Sequence, residues 1–242
     1  AHSNLGNVLR SLNQRERALL CFERAREINP DMEFILGDIL NSKMQLCIWG
    51  DFEKHLEELI SKINNHEKVI APFPLLPLID DPELLRKNTE VFVKEIYPRD
   101  NTLPKIDRYP RHQKIRIGYF SADFRDHPIA NLTAELYEMH DRSHFEIHAF
   151  SFGPDTNDEM KLRIKSGVDH FHDVDSMPHN EIALLARSLE IDIAVDLGGH
   201  TANSRTEIFA MSVAPIQLSY LGYLGTMGAD YYDYLIADPI II

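Results

Sequence analysis

The chain has 242 residues, enough for one or two domains with a true core. Hydrophobic residues make up 44% and charged residues 26%, the balance of a globular protein. The formal net charge of −13 argues against a nucleic-acid or anionic-membrane binder, either of which needs a basic face, but leaves room for a local groove that holds a protein. The two cysteines, Cys21 and Cys47, fall in helix-like segments among apolar neighbours, so buried free thiols in a reducing compartment are expected. The first residues do not form a secretory signal, and no apolar run approaches the roughly 20 residues of a membrane span. A soluble, cytoplasmic protein without a membrane or nucleic-acid partner is the expectation. The helical pattern already under way at Ala1 and the apolar run that ends at Ile242 suggest a piece of a longer polypeptide.

Residues 1–30 read as a helix–turn–helix unit. Leu5, Gly6, Ala18, Phe22, Ala25 and Pro30 occupy the offsets of a tetratricopeptide repeat, and His2 and Leu9 depart from it. Met32, Leu36, Ile39, Leu40, Met44 and Cys47 continue at helical spacing. A further helix begins near Phe52, with Asp51 as its expected cap and Leu56, Leu59, Ile60 and Ile63 as its apolar stripe. Pro72, Pro74, Pro77 and Pro82 make residues 71–82 an extended connector with no helix. A helix over about 82–96 and a second proline-bearing connector over 97–113 follow. The reading is of helical repeats over 1–70, a Pro-rich connector with one helix over 71–113, and a sheet domain over 114–242.

From Lys114 the periods of two and of 3.6 alternate. Strands are expected over 114–120, 145–152, 168–174, 191–197, 215–220 and 234–237. Helices are expected over 131–140, 157–166, 178–190 and 204–211, and Leu132, Leu136 and Met139 mark the apolar face of the first of them. Such alternation favours a Rossmann-like parallel sheet with helices on both faces, whose ligands bind beyond the carboxyl ends of the strands. That rule points to three loops: 121–128, 198–205 and 221–228.

In the first loop, Pro128 holds His127 away from the helical conformation, which sets an imidazole at the mouth of the sheet, either as a proton-handling group or as a mere helix cap. In the second, Gly198 and Gly199 allow close backbone approach to a ligand or simply a tight turn. Thr201 and Arg205 stand before and within the next helix, whose amides suit an anion. In the third, Gly222, Gly225 and Gly228 recur every third residue, a spacing that is not the dinucleotide fingerprint. His170 and His172 share a strand face with Asp173 adjacent, but no third ligand is evident and no metal site is expected.

Taken in order, 115–124 with His127-Pro128, then 196–201 with Arg205, then 214–217 with Leu221-Gly222-Tyr223, Gly225-Thr226, Gly228 and Asp238 resemble the start of the catalytic region of family-41 glycosyltransferases, the O-linked N-acetylglucosamine transferases. Tetratricopeptide repeats directly before that region are also the family's arrangement. The resemblance implies the first half of a two-lobed GT-B enzyme. It implies UDP-N-acetylglucosamine as donor, a serine or threonine hydroxyl of a protein as acceptor, inversion at the anomeric carbon, and no cofactor or required metal. The repeats feed the acceptor polypeptide to the cleft.

By the same resemblance His127 is the histidine discussed as base or as a sugar- and acceptor-contacting group, and Asp123 and Pro128 flank it. Gly199, His200 and Thr201 match the loop that lines the sugar and phosphate side, and Arg205 with the loop amides would offer positive charge to the departing diphosphate. Gly222, Tyr223, Gly225 and Thr226 belong to a loop near the acceptor. The main diphosphate-binding lysine and most uridine contacts of the family lie in the second lobe, so this chain is expected to be inactive alone. Asp192 stands where the animal enzyme carries a histidine, and no role is carried over to it. Other readings are a protein-binding scaffold with a vestigial transferase lobe, and a transferase with another nucleotide sugar or an asparagine acceptor.

Overall fold

A computed structural model describes residues 1–107 and 109–238. The apolar run at 239–242, read above as a break in the chain, lies outside them. Two compact units divide at Ile96 and Tyr97. Among the described residues no helix is long and apolar enough to cross a membrane.

The first unit is helical: α1 (His2–Ser11), α2 (Arg15–Ile28), α3 (Ile35–Gln45), α4 (Phe52–Asn64), α5 (Pro72–Leu75) and α6 (Pro82–Ile96). Of the repeat's signature residues, Gly6, Ala18, Phe22 and Ala25 are buried, while Leu5 and Pro30 are exposed. Phe22 and Ala18 are fully buried, and with Leu9, Leu19 and Ala25 they meet Ile35 and Ile39 of α3. A second cluster joins Leu36 and Leu40 to Leu59 and Ile63 of α4 and to Val69, Ile70 and Leu75.

Three local expectations change. Asp51 precedes α4, but its carboxylate makes no cap; it accepts two hydrogen bonds from the buried Lys43 ammonium at 2.7 and 2.8 Å, a charge-assisted pair that outweighs a cap. The connector contains one helical turn, α5, because a proline at the first helical position loses no intrahelical hydrogen bond. Cys47 lies past the end of α3 with φ 56° and is exposed, and Cys21 is half-buried; both are free thiols rather than buried ones.

The second unit is a six-stranded parallel sheet in the order β3-β2-β1-β4-β5-β6. The strands are β1 (Ile115–Ser121), β2 (Phe145–Ser151), β3 (His170–Asp173), β4 (Ile193–Asp196), β5 (Ile216–Tyr220) and β6 (Tyr234–Ile236). Between them run α7 (Pro128–Met139), α8 (Glu159–Gly167), α9 (His179–Ser188) and α10 (Thr206–Ala210). Alternate strand residues serve opposite faces. Ile117, Tyr119, Ile147, Ala149 and Val195 pack under α7 and α8. On the other face Phe120 stacks on Phe150 with ring centroids 4.4 Å apart and meets Phe209 of α10 edge-on.

The buried face of α7 is Ala130, Thr133, Ala134 and Tyr137; of the expected Leu132–Leu136–Met139 stripe, Leu136 packs against the core while its two companions do not. Leu132 and Met139 are 67% and 74% exposed. Both stripes have helical spacing. The sheet accepts the one that seats a single large ring, Tyr137, among small neighbours, which a count of strongly apolar residues passes over.

Candidate active site

The strand order reverses between β1 and β4, the place where a doubly wound sheet opens a crevice at its carboxyl edge. Phe120 pairs with Asp196, and the Leu197 amide donates to the Phe120 carbonyl at 3.1 Å, so the loops after β1 and β4 leave the sheet side by side. β5 pairs with β4 and delivers the third loop beside the second. Gly199 has φ 56°, and a Cβ there would lie 2.5 Å from the Tyr223 Cβ. A Cβ at Gly222 would lie 1.9 Å from the Leu197 carbonyl oxygen and 3.4 Å from Ile129 Cδ1 at the start of α7. The second and third loops therefore touch at Gly199 and Tyr223, and Gly222 lies against Leu197 and Ile129, the residues that border the other two loops.

His127 is the N-cap of α7, in the extended conformation that Pro128 favours. The Ile129 amide donates to its Nδ1 at 3.3 Å. Asp123 Oδ2 lies 3.7 Å from the same nitrogen, while Asp123 Oδ1 accepts from Arg125 at 3.1 Å. The ring is about one-third exposed. Pro128 is exposed and half-buried Asp123 lies beneath it in the loop.

The second loop is built by a residue to which the sequence attached no role. Asp196, fully enclosed at the end of β4, accepts from the Gly198 and Gly199 amides at 2.8 and 3.0 Å. Its other oxygen accepts from the Tyr232 hydroxyl at 2.5 Å. Burial raises the carboxyl's pKa against these donors and raises the Tyr232 phenol well above its usual value. The signal was a lone acid closing an apolar strand before two glycines.

Thr201 Oγ donates to the Gly198 carbonyl at 2.7 Å and closes the turn. His200 is buried: its Nε2 meets the Met227 carbonyl at 3.0 Å, its ring packs edge-on against Tyr223, and burial lowers its pKa. Arg205 precedes α10 instead of lying within it. Its guanidinium donates to the carbonyls of Met177 at 2.8 Å and Asp175 at 2.6 Å and lies over the Phe152 ring. Tyr223, within the third loop, is 2% exposed. Thr226 is exposed, and its Oγ accepts from the Gly228 amide at 3.2 Å. Gly225, Thr226 and Gly228 line a cleft of about 390 Å³ with Tyr232 and Tyr234. Of the proposed contacts, His127 and Thr226 thus present side chains to solvent or cleft, Asp123 is largely covered and held by Arg125, and His200 and Tyr223 are buried within their loops.

Asp192 sits at the opposite, amino edge of the sheet. Its carboxylate accepts from the Arg116 amide at 2.9 Å and from His112 Nδ1 at 3.1 Å.

A doubly wound parallel sheet with its glycine-bearing loops at the carboxyl edge, in a chain that also carries a tetratricopeptide hairpin, defines an α/β protein with a helical-repeat unit. Comparison with known proteins narrows this. The profile of Glycosyl transferase family 41 matches residues 87–241, and that of the tetratricopeptide repeat matches residues 1–32. A probable UDP-N-acetylglucosamine–peptide N-acetylglucosaminyltransferase, SEC, of Arabidopsis thaliana is 33% identical over 218 residues, 84% of this chain and 22% of the relative. The Caenorhabditis elegans protein named UDP-N-acetylglucosamine–peptide N-acetylglucosaminyltransferase is 27% identical over 213 residues, 81% of this chain and 18% of that protein. A solved O-GlcNAc transferase variant from Thermobaculum terrenum superposes with a TM-score of 0.71 at 23% identity, over 98% of this chain and 46% of that one. The chain belongs to glycosyltransferase family 41. It spans less than a quarter of the length of these curated relatives.

Proposed function

We propose that this chain is the acceptor-side lobe, with its helical repeats, of an inverting protein glycosyltransferase that moves N-acetylglucosamine from UDP-N-acetylglucosamine to serine and threonine hydroxyls. The observation that carries the reading is the meeting of three carboxyl-edge loops at the β1–β4 switch point with His127 at their rim. The names of the plant and nematode relatives support the donor and the peptide acceptor. A scaffold with a vestigial lobe needs no such convergence.

In the reaction the acceptor oxygen forms a bond to the anomeric carbon from the face opposite UDP, the bond to the diphosphate breaks so that UDP leaves with the electron pair, and the hydroxyl proton passes to water at the cleft. Because Nδ1 of His127 accepts the Ile129 amide, the neutral ring carries its proton on Nε2. In that form His127 donates a hydrogen bond from Nε2 that orients a sugar or acceptor oxygen. Arg205 is held by two carbonyls, so positive charge for the departing diphosphate comes from the nucleotide-sugar lobe. Transfer needs no metal ion or cofactor. Acceptor proteins reach the cleft along the repeats, in the cytoplasm, a location that the two unbridged thiols support.

Radiolabelled UDP-N-acetylglucosamine, offered with a serine/threonine peptide, tests the reading. Transfer is expected from the complete enzyme and not from this chain alone. Equal turnover by the isolated chain rules out a separate donor lobe. Product mass separates N-acetylhexosamine from deoxyhexose, and fragmentation separates a hydroxyl from an asparagine acceptor.

A further inference from the structure

Four polar side chains share one face of β2 and β3, running from Glu146 near the amino edge of the sheet to His172 one residue short of the carboxyl end of β3. Glu146 and His148 alternate along β2, and His170 and His172 along β3, with His148 paired to His170 in register. Sequence spacing already placed the last two on one face but offered no further ligand; strand pairing brings Glu146 and His148 beside His170.

The potential ligand atoms of Glu146, His148 and His170 lie within 4.8 Å of one another. Glu146 Oε1 is 2.9 Å from His170 Nε2 and 3.5 Å from His148 Nε2. Ligands about 2.0–2.1 Å from a tetrahedral ion stand about 3.4 Å apart, so these separations bracket such a site. His148 is 3% exposed, and its Nε2, turned toward the Glu146 carboxylate, has no hydrogen-bond partner among the described residues. A buried polar atom of this kind is costly unless something occupies its lone pair.

We propose that Glu146 Oε1, His148 Nε2 and His170 Nε2 bind one divalent zinc-class ion. Two imidazoles and one carboxylate are the donor set that such an ion prefers, and three protein ligands leave one position open. The open position faces a cleft of about 590 Å³ that reaches Glu146 and His170 and is also lined by His112, Lys114 and Arg116. The outer contacts orient the ligands. His148 Nδ1 is hydrogen-bonded to His172 Nε2 at 3.1 Å, and Arg116 Nε approaches the other Glu146 oxygen at 3.5 Å, which leaves Oε1 for the ion. Binding at Nε2 takes the His170 ring as its neutral Nδ1–H form, so a proton held between Nε2 and Glu146 moves to Nδ1, or to water where Nδ1 already carries one. It ties the edge strand β3 to β2 and takes no part in glycosyl transfer.

The test uses the untagged chain, stripped with chelator and titrated with Zn²⁺ by calorimetry and with Co²⁺ by visible absorption. One equivalent is expected, with intense tetrahedral Co²⁺ bands and a raised Tm. His170 is half exposed, so His170→Ala should fold normally by circular dichroism yet weaken binding at least roughly 100-fold, and His172→Ala should weaken it about tenfold. Glu146→Gln should also weaken it, whereas exposed His144→Ala should not. No saturable binding by the wild-type chain, or binding by folded His170→Ala as tight as wild type, overturns the site.

Discussion

One nitrogen of the His127 imidazole is already in use as a helix cap, and that separates two roles that a simple deletion would merge. In the complete enzyme, His127→Ala should lower turnover by at least roughly tenfold, about 1.4 kcal/mol of barrier. It should also lower stability by about 1 kcal/mol through the lost cap. His127→Asn keeps a capping oxygen, so its Tm should match wild type while its turnover still falls; steady-state kinetics beside thermal melts read both. Full turnover in both variants would remove His127 from the site.

His112 gives the opposite kind of prediction. Hydrogen bonds to Asp192 and Glu190 raise its pKa above the usual value, since both ring nitrogens donate to carboxylates only in the imidazolium. With the folded pKa raised, its stabilisation is fully present below about pH 6.5 and is lost as pH rises through the folded value. Denaturant titrations should therefore show His112→Ala less stable than wild type at pH 6, with the gap closing at alkaline pH.

Two elements owe their form to neighbours instead of their own pattern. The loop after β4 turns through Gly199 because Asp196 gathers two successive amides. Gly199→Ala adds a left-handed strain and a Cβ against Tyr223, and urea unfolding should show a loss of about 2–3 kcal/mol. Helix α7 tests the choice between its two stripes. Leu132→Lys should change stability by less than about 0.5 kcal/mol, whereas Ala134→Leu should cost about 1–3 kcal/mol by overpacking against the sheet. The reverse ranking would restore the Leu132–Met139 face.

For the molecule as a whole, the proposal assigns recognition of protein acceptors to the helical unit and chemistry to the sheet unit. Deleting residues 1–96 from the complete enzyme should raise KM for a folded protein acceptor by roughly tenfold and leave kcat for a short peptide within about twofold. Equal effects on both acceptors would deny the repeats a role in recognition.

Most of the architecture was legible in the chain. The repeat offsets from Leu5 to Pro30, and the alternation of strand and helix after Lys114, follow from periods that each element carries within itself. The three loops were legible too, because a parallel sheet sends its polar, glycine-bearing turns to one edge. What only the tertiary structure decided were partnerships between residues far apart in sequence: Asp51 with Lys43 instead of its own helix, Arg205 with the carbonyls before α9, Asp196 with Tyr232, and Glu146 and His148 beside His170. A side chain's local pattern says which face it can take. Which buried donor or acceptor satisfies it depends on register and packing, and those come into being only when the strands pair.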